Sequence, residues 1–296
     1  MITLTIFTPV YNRKDLILEL YQSLEKQSCK EFVWSIVDDG STDGLPEIID
    51  SIKETASFKI FYTYQINQGK HIAHNTGLDI CTTDLFMCVD SDDRLCDDAV
   101  EIILKTAESH KNEELLGFYY RKVDTQGNIS GGSFKLKSNY VGIRDIYHVY
   151  GFAGELAIVL YTKYAKSFRF PSFENEYFVS ELVYYNRLNN LAPMLWIDKT
   201  IYIFEYQEDG YTNNSKQIIV NNPYGAAYGY LSESVYATKA LDRIKNYAEY
   251  KAICRIFKLD TSLFPNIYVG IIERVASLAM MKHYYHIFQT LKEEQM

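Results

Sequence analysis

Acidic side chains are concentrated in two short stretches of the sequence, and a third, polar stretch precedes them. One acidic stretch is Asp38-Asp39-Gly40-Ser41-Thr42-Asp43-Gly44, and the other is Asp90-Ser91-Asp92-Asp93. The polar stretch is Thr8-Pro9-Val10-Tyr11-Asn12-Arg13, and each of the three follows an apolar run. Carboxylates gathered at one place repel one another unless a cation or hydrogen-bond donors accompany them. Carboxylate oxygens suit Mg²⁺ and Mn²⁺, so the pattern indicates chemistry on a divalent metal ion.

Each stretch also has a purely structural interpretation. Asp93 and Asp43 could cap helices that begin after them, and Asp39-Gly40 could form a turn. Taken singly, each stretch is more often structural than functional, but three of them at successive strand ends favour a shared site. The sequence contains neither a GxGxxG motif after the first apolar run nor a P-loop motif, so neither class of nucleotide site is expected.

The elements that must position these stretches alternate along the first half of the chain. Apolar runs typical of strands occur at residues 3–10, 32–37, 58–64, 85–89, 115–123, 155–161 and 194–204. Helical spacing occurs near residues 16–24, 45–52, 70–80, 99–107 and 179–188, and residues 124–128 have hairpin-turn chemistry. The alternation predicts βαβ units and a mostly parallel sheet. Ligands bind beyond the carboxyl ends of such strands, so the three stretches should line one crevice.

The composition excludes several other classes of protein. The 296 residues are 47% hydrophobic and 23% charged, as in globular proteins, and the net charge of −8 argues against binding along nucleic acid. Five scattered cysteines without a CxxC pair indicate neither a disulfide framework nor a zinc site. We expect no secretory signal and no membrane span, and therefore a cytoplasmic protein.

Four motifs occur in order along the chain: Thr8-Pro9-Val10-Tyr11-Asn12, Val37-Asp38-Asp39-Gly40-Ser41-Thr42-Asp43, Asn67-Gln68-Gly69-Lys70-His71 with Asn75-Thr76-Gly77, and Val89-Asp90-Ser91-Asp92-Asp93. Together they resemble the motifs of family 2 glycosyltransferases, which have the GT-A fold. The resemblance is specific over residues 1–95 and looser to about residue 212. It implies a Rossmann-like GT-A α/β domain over residues 1–212, a nucleotide-sugar donor and a Mn²⁺ or Mg²⁺ cofactor. Residues 213–296 are expected to form a C-terminal helical region.

The resemblance implies that the donor nucleotide contacts four segments. Pro9 and Tyr11 would wall the nucleobase, and Asp38 or Asp39 would accept hydrogen bonds from the base and ribose. The expected donor-binding residues are Thr8, Pro9, Tyr11, Asp38, Asp39, Asn67, Gly69, Lys70, His71, Asp90 and Ser91.

The last motif matches the DxD motif of the family, so Asp90 and Asp92 are the expected metal ligands. Lys70 would lie near the diphosphate. For His71, packing in the protein interior and contact with the nucleotide are about equally favoured interpretations. His74 replaces the arginine that many relatives carry, and a helix-face role is favoured for it.

Glycosyl transfer with inversion requires a carboxylate beside the acceptor hydroxyl. Family members usually supply it from a Glu-Asp pair, but here Leu182 follows Glu181. A branch of the family resembles residues 173–181 and uses a lone glutamate. We therefore expect Glu181 to be the base, with Glu174 and Glu176 as alternatives, while an exposed helical glutamate is the structural interpretation. Residues 205–212 resemble the EYxxDGxT segment of the same branch and are expected to form a loop over the donor or acceptor, or only a turn.

The C-terminal region is helical in pattern and rich in tyrosine and basic residues. The basic residues in one stretch are Lys239, Arg243, Lys245, Lys251, Arg255 and Lys258. One interpretation is a helical surface on anionic lipid, near a lipid-linked acceptor. The other, slightly favoured because tyrosines at helical spacing are usually buried, is a helical cap or a dimer contact.

Together these features predict a metal-dependent inverting glycosyltransferase that uses a nucleotide sugar, with a UDP-sugar favoured. The acceptor would be a glycan or lipid-linked glycan of a bacterial surface polysaccharide, with the protein cytoplasmic or peripheral at the inner membrane face. The alternatives are a nucleotidyltransferase and a non-catalytic protein that binds sugar nucleotides. The donor sugar, linkage and oligomeric state are not indicated.

Overall fold

The computed structural model describes residues 2–205, 215–264 and 269–293. The chain forms two compact units. The first comprises Met1–Arg169 and Leu188–Gln207, and the second comprises Phe170–Arg187 and Glu208–Met296. The proposed boundary at residue 212 differs from this division chiefly over residues 170–187.

The first unit is built on a nine-stranded sheet. Its strands are β1 Leu4–Val10, β2 Phe32–Asp38, β3 Lys59–Tyr64, β4 Leu85–Cys88, β5 Arg94–Leu95, β6 Gly117–Asp124, β7 Tyr140–Val141, β8 Leu156–Tyr161 and β9 Met194–Phe204. The strand order is β3-β2-β1-β4-β8-β6-β9-β5, and β7 also pairs with β9. β1 is buried along its whole length, as its continuous apolar run predicts for a strand covered on both faces.

The expected parallel arrangement holds for β3, β2, β1 and β4, and β6 and β9 are also parallel. β8 runs antiparallel to both β4 and β6, while β5 and β7 run antiparallel to β9. The sheet is therefore mixed. Asp93 was considered as the cap of a helix that begins directly after it. Residues Arg94–Leu95 instead form the strand β5, and the next helix begins only at Ala99, so that interpretation was wrong.

Helices of the first unit connect and cover these strands. They are α1 Leu16–Glu25, α2 Leu45–Thr55, α3 Lys70–Ile80, α4 Ala99–Ser109, α5 Asp145–His148 and α6 Thr162–Ala165. Apolar side chains of α1, α2 and α4 pack with those of β1, β2 and β4 in one buried core, which includes Leu20, Ile49, Ile103 and Trp34. The helices thereby fix the strands whose carboxyl ends carry the polar loops.

The second unit contains α7 Glu181–Leu188, α8 Ser215–Asn221, α9 Pro223–Tyr236, α10 Ala240–Phe257, a 3₁₀ turn at Thr261–Leu263 and α11 Ile271–Glu293. α10 packs against both α9 and α11. Aromatic rings cluster in this unit: the Phe173 and Tyr224 centroids are 5.5 Å apart, and Tyr228 stacks on Phe264 at 6.3 Å. These contacts agree with the packing interpretation of the tyrosines. Among the described helices, none combines the length and apolar composition needed to span a membrane.

Candidate active site

The loops after β1 and β2 are joined by hydrogen bonds between their polar residues. The backbone N–H of Asn12 donates to Ser41 Oγ at 2.9 Å, and Asn12 Oδ1 accepts from the Thr42 N–H at 2.8 Å. The Lys14 N–H donates to Asp43 Oδ2 at 2.9 Å. Asn12 has a left-handed backbone (φ 51°), which asparagine tolerates better than most residues. The two sequence stretches therefore form one continuous wall.

Asp38, at the end of β2, is fully buried and accepts two short hydrogen bonds. Its Oδ1 accepts from the Ser41 N–H at 2.7 Å, and its Oδ2 accepts from the Tyr62 hydroxyl at 2.5 Å. Both oxygens thus hold the loop after β2 and the neighbouring strand β3. This arrangement gives Asp38 a structural role beside the expected donor pocket.

Asp39 organises the loop that precedes α3. Its Oδ1 accepts from Gln65 Nε2 and the Gln68 N–H at 2.7 and 2.9 Å, and its Oδ2 accepts from the Gly69 N–H at 2.7 Å. Burial raises the pKa of Asp39, although these hydrogen bonds act in the opposite direction. The structure therefore brings the second and third sequence motifs together.

Two glycines make the approach of these loops possible. Gly40 has φ +86°, and a Cβ there would lie 2.8 Å from the backbone nitrogen of Asn67. Gly69, which precedes α3, has φ +90°. Both conformations are ones that other residues rarely adopt, so the loop geometry depends on glycine at these positions.

The first motif divides into buried and exposed residues. Thr8 and Pro9 are buried within β1, and Thr8 Oγ1 accepts a hydrogen bond from Trp34 Nε1 at 3.0 Å. Tyr11 is 48% exposed. Of these three predicted donor residues, Tyr11 therefore has the side chain most available to contact a ligand, and Thr8 supports the strand.

Lys70 and Asp90 form an ion pair at the carboxyl end of β4. Lys70 Nζ lies 2.8 Å from Asp90 Oδ1 and 3.1 Å from Oδ2. Burial acts to raise the pKa of Asp90, but the Lys70 ammonium, aided by Lys122, outweighs burial and lowers it. The predicted diphosphate-binding lysine and the first predicted metal ligand are thus neighbours.

Asp90, Asp92 and Asp93 form an acidic cluster in which one oxygen from each lies within 4.8 Å of the others. Burial and the charge of Asp90 raise the pKa of Asp92, and the same two causes raise the pKa of Asp93 to about 7. Ser91, between Asp90 and Asp92, is buried. An all-oxygen donor set in which the carboxylates repel one another fits a hard divalent cation, with Asp90 and Asp92 as the residues that would hold it.

The two histidines of α3 differ in their surroundings. His71 is buried, and burial lowers its pKa to about 4, so its imidazole is neutral at pH 7. His74 contacts the rings of Phe7 and Phe86 edge-on, with centroids 5.8 and 5.4 Å away. This packing agrees with the helix-face role favoured for His74.

Sequence reasoning missed several residues that shape the site. Tyr62 and Gln65 hold Asp38 and Asp39, and Tyr202 of β9 donates to Asp93 Oδ2 at 2.6 Å. Lys122 Nζ lies 4.1 Å from the centroid of the Tyr202 ring. Tyr62, Lys122 and Tyr202 lie in strands, and Gln65 directly follows β3; the available signal was a polar group near each strand's carboxyl end.

The glutamates considered as the base all belong to the second unit. Glu181 is exposed at the first turn of α7, where Ser180 Oγ accepts from the Leu182 N–H at 3.3 Å. Glu174 is also exposed. Glu176 is buried and accepts from the backbone N–H groups of Tyr224 and Gly225, both at 2.7 Å, at the start of α9. Of the predicted loop at 205–212, residues 206–212 lie outside the described residues.

The family model for glycosyl transferase family 2 matches residues 5–169, which is more than half of the chain. The chain therefore belongs to glycosyl transferase family 2. The matched segment contains the loops after β1, β2 and β4 described above, and the resemblance to family 2 drawn from their motifs is confirmed.

Glycosyltransferase GlyA from Streptococcus pneumoniae is 32% identical over 124 residues, which cover 42% of this chain and only 18% of GlyA. The GalNAc(5)-diNAcBac-PP-undecaprenol beta-1,3-glucosyltransferase from Campylobacter jejuni is 24% identical over 263 residues, covering 85% of this chain and 79% of that protein. The structure of S. aureus TarS 1–349 in complex with UDP-GlcNAc matches with a TM-score of 0.59 at 15% identity, covering 99% of this chain and 91% of that chain. This likeness shows the shared fold and confirms the expected GT-A α/β class.

Proposed function

We propose that this protein is a metal-dependent glycosyltransferase that moves a sugar, with inversion, from a nucleotide sugar to a glycan or lipid-linked glycan. The observation that carries the proposal is the acidic cluster Asp90, Asp92 and Asp93 with Lys70 paired to Asp90. Such a cluster beyond the ends of parallel strands suits a nucleotide diphosphate accompanied by a cation. A UDP-sugar is the favoured donor, because the TarS structure that shares this fold was solved with UDP-GlcNAc.

We assign roles to the chain's own groups from the family motifs, and their geometry supports the assignment. Asp90 and Asp92 would hold Mn²⁺ or Mg²⁺, which when bound supplies positive charge to the departing diphosphate. Lys70 adds a second positive charge at the same place, and exposed Tyr11 contributes a wall to the nucleobase pocket. Asp39 fixes the Gln68 and Gly69 backbone that bounds this pocket.

Glu181 is our proposal for the general base that takes the proton from the acceptor hydroxyl. Its main rival is Glu176, whose two carboxylate oxygens already accept backbone N–H groups at the start of α9. A carboxylate engaged in this way is poorly placed to take a proton, because doing so would break the cap of a helix. Glu181 is instead exposed, on the first turn of α7.

The acceptor class is proposed from the Campylobacter jejuni relative, whose name describes transfer onto an undecaprenol-linked glycan. We infer that this protein likewise extends a bacterial surface glycan and works at the inner face of the membrane.

Exposed apolar side chains on α11 support a location at the membrane surface: Ile271, Ile272, Val275 and Leu278 are all more than 60% exposed. Co-sedimentation with phosphatidylglycerol vesicles tests this localisation, and Val275→Glu with Leu278→Glu should reduce the bound fraction severalfold, whereas undiminished binding contradicts it.

Calorimetric titration of UDP with and without Mn²⁺ tests the donor site. Wild-type protein should bind UDP in a Mn²⁺-dependent manner, and Asp92→Ala should remove that dependence. If Asp92→Ala retains metal-dependent affinity, the assignment is refuted. Pyrophosphate release from a nucleoside triphosphate would indicate the nucleotidyltransferase instead. Metal-dependent UDP binding without hydrolysis of any UDP-sugar would indicate the non-catalytic alternative.

Turnover of the donor tests the base. Glu181→Gln should abolish transfer while sparing UDP affinity, because the amide cannot take a proton. Glu174→Gln, at an exposed alternative for the base in the same unit, should leave transfer unchanged, and loss of transfer there would assign the base to Glu174 instead. Normal turnover by Glu181→Gln would eliminate Glu181 as the base.

A further inference from the structure

A continuous chain of hydrogen bonds joins the end of β9 to the acidic loop after β4. The Tyr202 hydroxyl donates to Asp93 Oδ2 at 2.6 Å and accepts from the backbone N–H of Asp90 at 3.2 Å. The backbone N–H of Glu205 donates to Asp93 Oδ1 at 3.1 Å. The chain of contacts therefore ends on the backbone of a predicted metal ligand.

Asp93 differs from Asp90 in what its oxygens face. Both oxygens of Asp93 accept protein hydrogen bonds from β9 and the residue after it, and the residue is only 7% exposed. The oxygens of Asp90 instead face the Lys70 ammonium at the edge of the site. Asp93 lies close enough to share a metal ion with Asp90 and Asp92, but its carboxylate is already directed toward the protein.

Water cannot easily replace this chain of hydrogen bonds, because Tyr202 is only 2% exposed. Strand pairing holds the two segments in register, with Leu95 opposite Tyr202 and Arg94 opposite Ile203. Arg94 also bonds to the Glu205 carboxylate at 3.0 Å. The tyrosine hydroxyl is thus held at a fixed place, and the Asp90 backbone is held by it.

We propose that Tyr202 and Asp93 are positioning residues, which hold the Asp90-Ser91-Asp92 loop in its metal-binding geometry, and that Asp93 is not itself a metal ligand. The inference rests on the proposed metal-dependent binding of a nucleotide diphosphate. Partners that orient metal ligands in this way typically contribute 10-fold to 100-fold to metal affinity. Loss of either Tyr202 or Asp93 should therefore weaken the metal-dependent binding of the nucleotide diphosphate in the same way.

The test is calorimetric titration of UDP into the full chain over a series of Mn²⁺ concentrations. Tyr202→Phe and Asp93→Ala should each raise the Mn²⁺ concentration needed for half-maximal UDP affinity by about 10-fold. The double variant should be no worse than Asp93→Ala alone, because both remove the same chain of bonds. Tyr120→Phe is the matched control: it is a buried tyrosine of β6 whose hydroxyl faces Thr106 of α4, and it should match wild type.

Asp93→Asn distinguishes positioning from ligation. An asparagine can still accept from the Glu205 N–H and can donate to the Tyr202 oxygen, so its Mn²⁺ dependence should stay within about fivefold of wild type. Asp92→Asn, at a proposed ligand, should lose the dependence. Circular dichroism at each titration temperature separates unfolding from weaker metal binding.

Each outcome decides between the alternatives. If Asp93→Asn loses Mn²⁺ dependence as fully as Asp92→Asn, Asp93 is a ligand and the inference is overturned. If folded Tyr202→Phe matches wild type, the positioning role is overturned while the proposed function survives. If wild-type protein binds UDP equally with and without Mn²⁺, the proposed function fails, and the inference fails with it.

Discussion

Neutral His71 at the start of α3 predicts a specific loss of stability in acid. The buried imidazole has a pKa of about 4, whereas an unfolded histidine has a pKa of about 6.5. The folded state therefore resists protonation, and the stability due to neutral His71 is complete above pH 6.5. It is lost as the pH falls from 6.5 toward 4, because only the unfolded chain takes up the proton in that window.

The size of the loss follows from the two pKa values. Proton linkage gives a decrease in the free energy of unfolding of about 1.4 kcal/mol between pH 7.5 and 5.5. The decrease reaches about 2.5 kcal/mol at pH 4.5. His71→Gln removes the titrating group, so the stability difference between wild type and this variant should shrink by these amounts as the pH falls.

Urea denaturation followed by circular dichroism at pH 7.5, 6.5, 5.5 and 4.5 measures this difference. His283→Gln, on the exposed surface of α11, is the matched substitution with which the pH profile of His71→Gln is compared. Parallel pH profiles for wild type and His71→Gln would refute the reasoning, because they would mean that His71 titrates alike in both states. UDP affinity of wild type between pH 6.5 and 8 should show no step due to His71.

Three further predictions concern single substitutions. Burial raises the pKa of Glu249 to about 7, so ionisation of this carboxylate lowers the stability of the fold as the pH rises from 4.5 to 7. After allowance for solvent screening, Glu249→Gln should stabilise the protein by about 1–2 kcal/mol at pH 8 and by little at pH 4.5. Urea denaturation at the two pH values measures this difference. A Cβ on Gly225 would lie 1.9 Å from the Phe178 carbonyl oxygen, so Gly225→Ala should lower the melting temperature by several degrees. Tyr62→Phe leaves buried Asp38 with one fewer donor and should cost about 1–3 kcal/mol of stability in the same denaturation assay.

The parallel half of the sheet could be predicted from the sequence because local pattern determines it. Continuous apolar runs at β1 and β2 alternate with amphipathic helices, and this alternation requires βαβ crossovers with the loops at one edge. The hydrogen bonds between Asn12 and Ser41, and between Asp39 and Gly69, confirm that these loops meet. Met194–Phe204 also forms a strand over the predicted residues.

Most of the features that could not be predicted from the sequence depend on pairing between residues far apart in the chain. Two-residue β5 has no periodicity of its own and forms because β9 pairs with it. Tyr202 is one of 26 tyrosines in the sequence, and its contact with Asp93 spans 109 positions of the chain. The antiparallel β8 was predicted as a strand, but its direction depends on pairing with β4 and β6.

The aspartates of the proposed donor site have two different physical roles, although the motif residues look alike in the sequence. The oxygens of Asp38, Asp39 and Asp93 accept hydrogen bonds that hold loops and strands together. Those of Asp90 face a lysine, and Asp92 is half-buried in the acidic cluster beside it. Removing a buried acceptor leaves its donors unpaired, which costs stability whether or not a ligand is bound. Loss of transfer in an Asp38 or Asp39 variant is therefore evidence for donor contact only when the variant retains wild-type stability. An Asp92 variant, in contrast, should lose metal-dependent binding while the protein remains folded.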